Sequence, residues 1–139
     1  MIDREVADGI HHENIFVCGF SQGGPLTLAS VLLYLKMLGR GAIFNGWVPF
    51  SSLVVQRISP EARKTPFLWS HGVADRTVLF EDGQAGPPFL QSAGVNCELK
   101  AYPDLGHSIS QDELQYLESW IRSRLKASRR TISFPVADS

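Results

Sequence analysis

The stretch of this 139-residue chain best suited to chemistry is Gly19-Phe20-Ser21-Gln22-Gly23. It is a G-x-S-x-G sequence between the apolar run Ile15-Phe16-Val17-Cys18 and a second apolar run from Leu26 onward. A serine flanked by glycines can sit on a sharp strand-to-helix turn, with its hydroxyl raised above a sheet. That is how a serine is presented as a nucleophile for acyl transfer. A helix opening near Gln22 would aim its free N–H groups and positive dipole end at the same point. The Gln22 N–H is therefore expected to be one oxyanion-hole donor. The plain alternative is a glycine-rich turn with a solvated serine. The strand on one side and the helix on the other argue against it.

A nucleophilic serine needs a base to take its proton and an acid to orient that base. After a nucleophile of this kind the partners follow in the order Ser, Asp or Glu, His. Asp75 lies in "WSHGVADRTV" and His107 in "YPDLGHSIS", each just past an apolar, strand-like run. His107 would take the proton from Ser21 and return it to the leaving group. Asp75 would fix the tautomer of His107 and stabilise the imidazolium. The plain alternative for Asp75 is a turn residue ahead of a helix, where aspartate is favoured. Asp82 and Asp104 are rivals, but Asp104 shares a loop with His107, and an orienting acid more often comes from another strand end. His71 reads as structural, at the tip of its strand, and His11-His12 as a surface pair. Cys18 and Cys97 read as buried free thiols, without metal-ligand spacing to a histidine.

The elements that must position these groups alternate. Strands are expected at residues 14–19, 42–47, 66–71 and 95–102. The first is an unbroken apolar run, as suits a strand buried on both faces of a parallel sheet. A buried helix is expected over 26–38, stopped by Gly39 and Gly41. Residues 48–64 read as irregular, with Pro49 and Pro60 as markers. Residues 78–93 are helix-like at both ends, but Gly86-Pro87-Pro88 should break or kink them. A helix over 110–126 opens with the capping box Ser110-Gln111-Asp112-Glu113 and carries a stripe of Leu114, Leu117, Ile121 and Leu125. Residues 127–139 read as a flexible tail. Strands alternating with helices predict an α/β fold with a mostly parallel sheet, whose working residues gather at the carboxyl ends of strands.

The quoted motifs "GFSQGG", "FNGWVP", "SHGVADRTV" and "GHSIS" together resemble the acyl-protein thioesterase and carboxylesterase family of α/β-hydrolases, in its plant-like form. The resemblance runs from about residue 2 to residue 126, nearly the whole chain apart from the tail, and residues 1–126 are expected to form a partial α/β-hydrolase domain. It implies the C-terminal part of an α/β-hydrolase fold. It also implies Ser21, Asp75 and His107 as the triad and Gln22 as an oxyanion-hole residue. Trp47 and Pro49 match a segment near the family's acyl-binding region, and core packing is the alternative for Trp47. The implied reaction is hydrolysis of acyl thioesters or carboxylic esters through an acyl-enzyme, with no cofactor and no metal. The implied substrates include S-acylated proteins.

Two departures bear on these expectations. Family members carry a further half-domain before the nucleophile, including a His-Gly-Leu-Gly-type loop that supplies a second oxyanion-hole N–H. Without that donor the rate should fall by about 10²–10³, or roughly 3–4 kcal/mol. Without the preceding strands, the strand at 14–19 should become an open apolar edge and self-associate. Two readings besides an active thioesterase therefore stay open: a non-catalytic form that binds without turnover, and another α/β-hydrolase chemistry. The triad residues alone do not separate substrates.

Composition narrows the partners. A formal net charge of −1 offers no basic field for nucleic acid. The opening residues are polar and acidic, unlike a secretory signal, and no run reaches the roughly 18 apolar residues of a membrane span. A cytoplasmic location is expected.

Overall fold

Four strands pair side by side, all running in one direction. The structure, a computed structural model, describes residues 1–48 and 57–128. The strands are β1 (Phe16–Phe20), β2 (Arg40–Phe44), β3 (Phe67–Gly72) and β4 (Cys97–Tyr102). Their order in the sheet is β1-β2-β3-β4, every pair parallel. Parallel neighbours need crossovers. Helix α2 (Gly23–Leu32) supplies the first, and α3 (Phe80–Gln84) with α4 (Gly86–Ser92) the last. Helix α1 (Ile2–Ala7) precedes β1, and α5 (Gln111–Ser128) follows β4.

Strand alternation divides the core between the two faces of the sheet. Ile43, Phe67 and Trp69 pack with Leu28, Val31 and Leu32 of α2 and Leu90 of α4. Ala42, Phe44 and Leu68 point the other way and meet Tyr116, Leu117 and Trp120 of α5. The first face is nearly dry: Val31, Leu32, Ile43, Trp69 and Leu90 have no exposed surface. Burying each such side chain stabilises by about 1.5–3 kcal/mol, so this face carries most of the packing energy.

The expected break at Gly86-Pro87-Pro88 is present as a junction. Helix α3 ends, and α4 starts with the prolines in its first turn, where a missing N–H costs nothing. The junction lies close on β3. A Cβ at Gly83 would come within 2.1 Å of the His71 ring, and one at Gly86 within 2.3 Å of the Trp69 ring. The expected capping box also forms. The Glu113 N–H donates to Ser110 Oγ at 3.1 Å and the Ser110 N–H to Glu113 Oε1 at 2.8 Å. The other oxygen of buried Glu113 accepts from the Ser70 hydroxyl, which ties α5 to β3.

Four expectations need correction. Helix α2 stops at Leu32, not near residue 38, and Gly41 lies inside β2. Leu38 is fully buried all the same, its N–H donating to Thr65 Oγ1 at 2.9 Å, so a long-range contact ended a run that local pattern would have continued. In α5, Leu114 is 52% exposed, and the packed face is Glu113, Tyr116, Leu117 and Trp120. Aromatic residues with polar tips displaced the aliphatic stripe: Arg40 lies 4.3 Å over the Trp120 ring, and Tyr116 bonds Glu98. The side chain of Leu125 lies outside those described. Strand β1 is only half-buried, and Cys18 is exposed on it, unlike buried Cys97. The cause is position: among the described residues β1 pairs with β2 alone. Lastly, strand β2 ends at Phe44, so Asn45, Gly46 and Trp47 fall in the turn beyond it. Pro49 and residues 129–139 lie outside the described residues.

Candidate active site

Each strand delivers one polar group just past its carboxyl end. Ser21 follows β1, Asn45 follows β2, Asp75 lies three residues beyond β3, and His107 lies five beyond β4. In a parallel sheet these ends share one edge, so residues spread over the chain converge.

Ser21 has φ of 55°, in the left-handed region that costs a non-glycine residue about 1–3 kcal/mol. Two hydrogen bonds hold it there. Its N–H donates to the Phe44 carbonyl at 2.9 Å, and its carbonyl accepts from the Gly24 N–H at 2.9 Å. The motif's first glycine is required by space, since a Cβ at Gly19 would lie 2.0 Å from the Gly23 carbonyl oxygen. The close helix–strand contact falls one residue later than the motif suggests. A Cβ at Gly24 would lie 3.0 Å from both the Gly46 Cα and Ile43 Cγ2, whereas a Cβ at Gly23 would meet nothing within 4 Å. Gln22 is the N-cap of α2, so its N–H has no acceptor within the helix.

Asp75 is buried, with every carboxylate position filled. One oxygen accepts from the Thr77 and Val78 N–H groups at 2.8 and 3.0 Å. The other accepts from His107 Nδ1 at 2.8 Å and from Asn45 Nδ2 at 2.8 Å. Burial alone would raise its pKa. The bonds from His107, Val78, Thr77 and Asn45 outweigh burial and leave the carboxyl below its ordinary value. With the folded-state pKa below the unfolded one, ionised Asp75 stabilises fully above about pH 4. That contribution is lost as pH falls through the lower folded value.

Since Nδ1–H of His107 is given to the carboxylate, its Nε2 is left to accept a proton. Its ring packs 4.8 Å from Phe20, the residue before Ser21, which brings the His107 loop against the serine turn. The rival acids stand apart from this pair. Asp104 is exposed, and Asp82 lies on α3 in the wall of a cleft. His71 is buried, its Nε2–H donating to the Val78 carbonyl at 2.9 Å, with the nearer Asp75 oxygen at 3.6 Å. Through Val78 it braces the Asp75 loop. Burial, followed by the Glu98 charge, pushes the Cys97 thiol up to about 12, so it is no nucleophile at neutral pH.

A cleft of about 660 Å³ opens beside the Asp75 loop, lined by Trp47, Val48, Thr77, Val78, Asp82, Ala85 and Phe89. Its size suits a small-molecule or acyl group. At the opposite, amino-terminal end of β1, one donor atom each from His11, His12 and Glu13 lies within 4.8 Å of the others. The two rings stack at 4.4 Å, and His12 bonds the Met37 carbonyl. That group is remote from Ser21.

Asn45 is the residue that the sequence reading passed over. The available signal was a polar residue directly after a buried strand, at the end where such folds collect their working groups.

A parallel sheet with a strained serine turn after one strand, and a bonded aspartate and histidine beyond two others, defines an α/β-hydrolase. The chain belongs to the phospholipase/carboxylesterase family, whose profile matches residues 1–125. A probable carboxylesterase of rice (Oryza sativa subsp. japonica) is 75% identical over 129 residues, covering 93% of this chain and 48% of the relative. Carboxylesterase SOBER1 of Arabidopsis thaliana is 63% identical over 131 residues, 94% of this chain and 58% of the relative. A further rice relative, 45% identical over 94% of this chain and 53% of its own length, is named a probable inactive carboxylesterase. Among solved structures, SOBER1 superposes with a TM-score of 0.87 at 64% identity, over 89% of this chain and 59% of that one. Acyl-protein thioesterase 2 of Zea mays gives 0.78 at 27% identity, over 89% and 62%. The chain thus spans about half the length of the curated relatives it matches.

Proposed function

We propose that this chain carries the site of a serine hydrolase for carboxylic esters and acyl thioesters, with Ser21 as nucleophile, His107 as base and Asp75 as orienting acid. The observation that carries the reading is the 2.8 Å bond from His107 Nδ1 to a buried Asp75 carboxylate, beside the strained Ser21 turn. Ser21 Oγ attacks the acyl carbonyl carbon as its proton passes to His107 Nε2. The Gln22 N–H donates to the oxyanion. Collapse of the tetrahedral intermediate breaks the bond to the thiolate or alkoxide, which leaves with the proton from His107. Water, activated by the same imidazole, then releases the acid from Ser21. Ionised Asp75 holds the tautomer throughout.

The acyl group would lie in the cleft, against Trp47, Val48, Val78 and Phe89. The names of the carboxylesterase and thioesterase relatives support esters and thioesters as the substrate class. A series of 4-nitrophenyl esters and matching thioesters of rising chain length tests it. The expected result is turnover that depends on chain length, with Trp47→Ala raising KM several-fold for the longer chains. A flat response, or a preference for peptide amides, would contradict it. A second reading, binding without turnover, is favoured by the inactive rice relative.

Among the described residues no helix is long and apolar enough to cross a membrane. We further propose that the chain self-associates through β1. This edge has no second partner among the described residues, exposes Cys18, and lies beside α2, whose Leu26 is 67% exposed. Sedimentation velocity under reducing conditions should show dimers or larger species. A clean monomer that unfolds cooperatively would rule this out.

A further inference from the structure

Asn45 occupies the middle of the site without belonging to the expected triad. Its side chain is fully buried and its φ is 51°, a second left-handed residue at the same edge of the sheet. Its N–H donates to the Ser70 carbonyl at 2.8 Å, which fixes the backbone between β2 and β3. The side-chain amide then reaches three groups on two segments, the end of β3 with the turn after it and the loop before His107. Nδ2 donates to Asp75 Oδ2 at 2.8 Å and to the Gly106 carbonyl at 3.0 Å, and Oδ1 accepts from the Gly72 N–H at 3.2 Å.

The targets of Nδ2 are specific. Asp75 Oδ2 is the same oxygen that receives His107 Nδ1, and Gly106 is the residue directly before His107. One amide nitrogen therefore grips both ends of the Asp75–His107 bond. A group that does this limits the angles at which the imidazole can present Nε2, and misplacement of a base is costly in rate. The polarity is also one-way. Only a donor can face both a carboxylate and a carbonyl, while Oδ1 faces a donor.

We propose that Asn45 is a positioning residue that locks the Asp75–His107 pair in register with the Ser21 turn. The proposal rests on the hydrolase reading for its kinetic consequence, though the lock itself can be read without turnover. Asn45→Gly suits the test, because glycine adopts positive φ freely and so removes the amide without straining the turn. Asn45→Asp is the sharper companion. It keeps the shape and the acceptor for the Gly72 N–H, but presents either a carboxylate or an acid hydroxyl where the amide donated twice.

Both variants and the unaltered full chain would be followed by the rate of fluorophosphonate labelling, by the downfield Nδ1–H resonance of His107 in proton NMR, and by thermal unfolding. The resonance is assigned by its loss in His107→Gln. The expected result is labelling at least 10-fold slower in both variants, with that resonance broadened or lost while cooperative unfolding is retained. Labelling at the unaltered rate with the resonance intact in either variant would overturn the proposal. If the unaltered chain is not labelled, the hydrolase reading fails separately, and the resonance alone decides. Its loss in the variants supports the lock, and its persistence overturns it. If Asn45→Gly fails to fold, Asn45→Asp decides on the same readouts.

Discussion

Replacing Ser21 with alanine should lower ester and thioester hydrolysis to the level of the uncatalysed buffer reaction or close to it. In complete triad enzymes, loss of the nucleophile costs about 10⁶ in kcat, and what remains comes from oxyanion stabilisation and binding. A loss of that order is expected here too, because weaker or stronger oxyanion stabilisation acts on the unaltered chain and on Ser21→Ala alike. The fold should survive. The Ser21 backbone bonds to Phe44 and Gly24 do not involve the hydroxyl, and alanine pays the same left-handed strain that serine does. A kcat for Ser21→Ala within tenfold of the unaltered chain, after repurification, would remove Ser21 from the mechanism.

The second large effect should come from Asp75→Asn, and it should reach both rate and stability. The carboxylate has donors on both sides: Thr77 and Val78 N–H groups on one oxygen, His107 and Asn45 on the other. An amide has only one oxygen. Turned one way, its NH₂ opposes two backbone N–H groups; turned the other, it opposes the Asn45 NH₂ and holds His107 in the wrong tautomer. Facing buried donors against one another costs about 1–3 kcal/mol, and the wrong tautomer should lower kcat by roughly 10⁴. Asp75→Asn should therefore unfold at a lower temperature than the unaltered chain and be nearly inactive well below its own midpoint. Near-normal kcat in a folded Asp75→Asn would pass the orienting role to another acid, with Asp82 the first to examine.

How much of this could be read from the sequence depends on the distance over which each feature is decided. The Ser21 turn, the Ser110–Glu113 capping box and the junction at Gly86 are set by neighbours within a few residues, and all three form. The end of α2 was not legible. Apolar residues run on to Leu38, but Leu38 is claimed by Thr65, 27 positions away. The packed face of α5 was misread for a related reason. Leu114 fits a helical stripe, yet Tyr116 and Trp120 find polar partners in Glu98 and Arg40, which local periodicity does not register. The apolar composition of β1 suggested burial on both faces, and its edge position left Cys18 exposed instead.

The site divides along the same line. Ser21, Asp75 and His107 were legible as candidates from residue type, order and position after strands, and of these Asp75 and His107 are bonded to each other. Asn45 was missed because its partners lie 30 and 61 residues away, and nothing in "FNGWVP" by itself distinguishes a clamp from a turn. Gly23 shows the converse. The motif requires it, but no neighbour among the described residues crowds it, while Gly24 makes the close contact with Gly46.

The most direct measurement is mass spectrometry of the purified chain after treatment with a fluorophosphonate, with Ser21→Ala treated in parallel. A single adduct on the peptide containing Ser21, absent from the alanine variant, is the expected result, since only an activated serine phosphonylates at a useful rate. No adduct on a chain that circular dichroism shows to be folded, or an adduct that persists in Ser21→Ala, would contradict the serine-hydrolase reading.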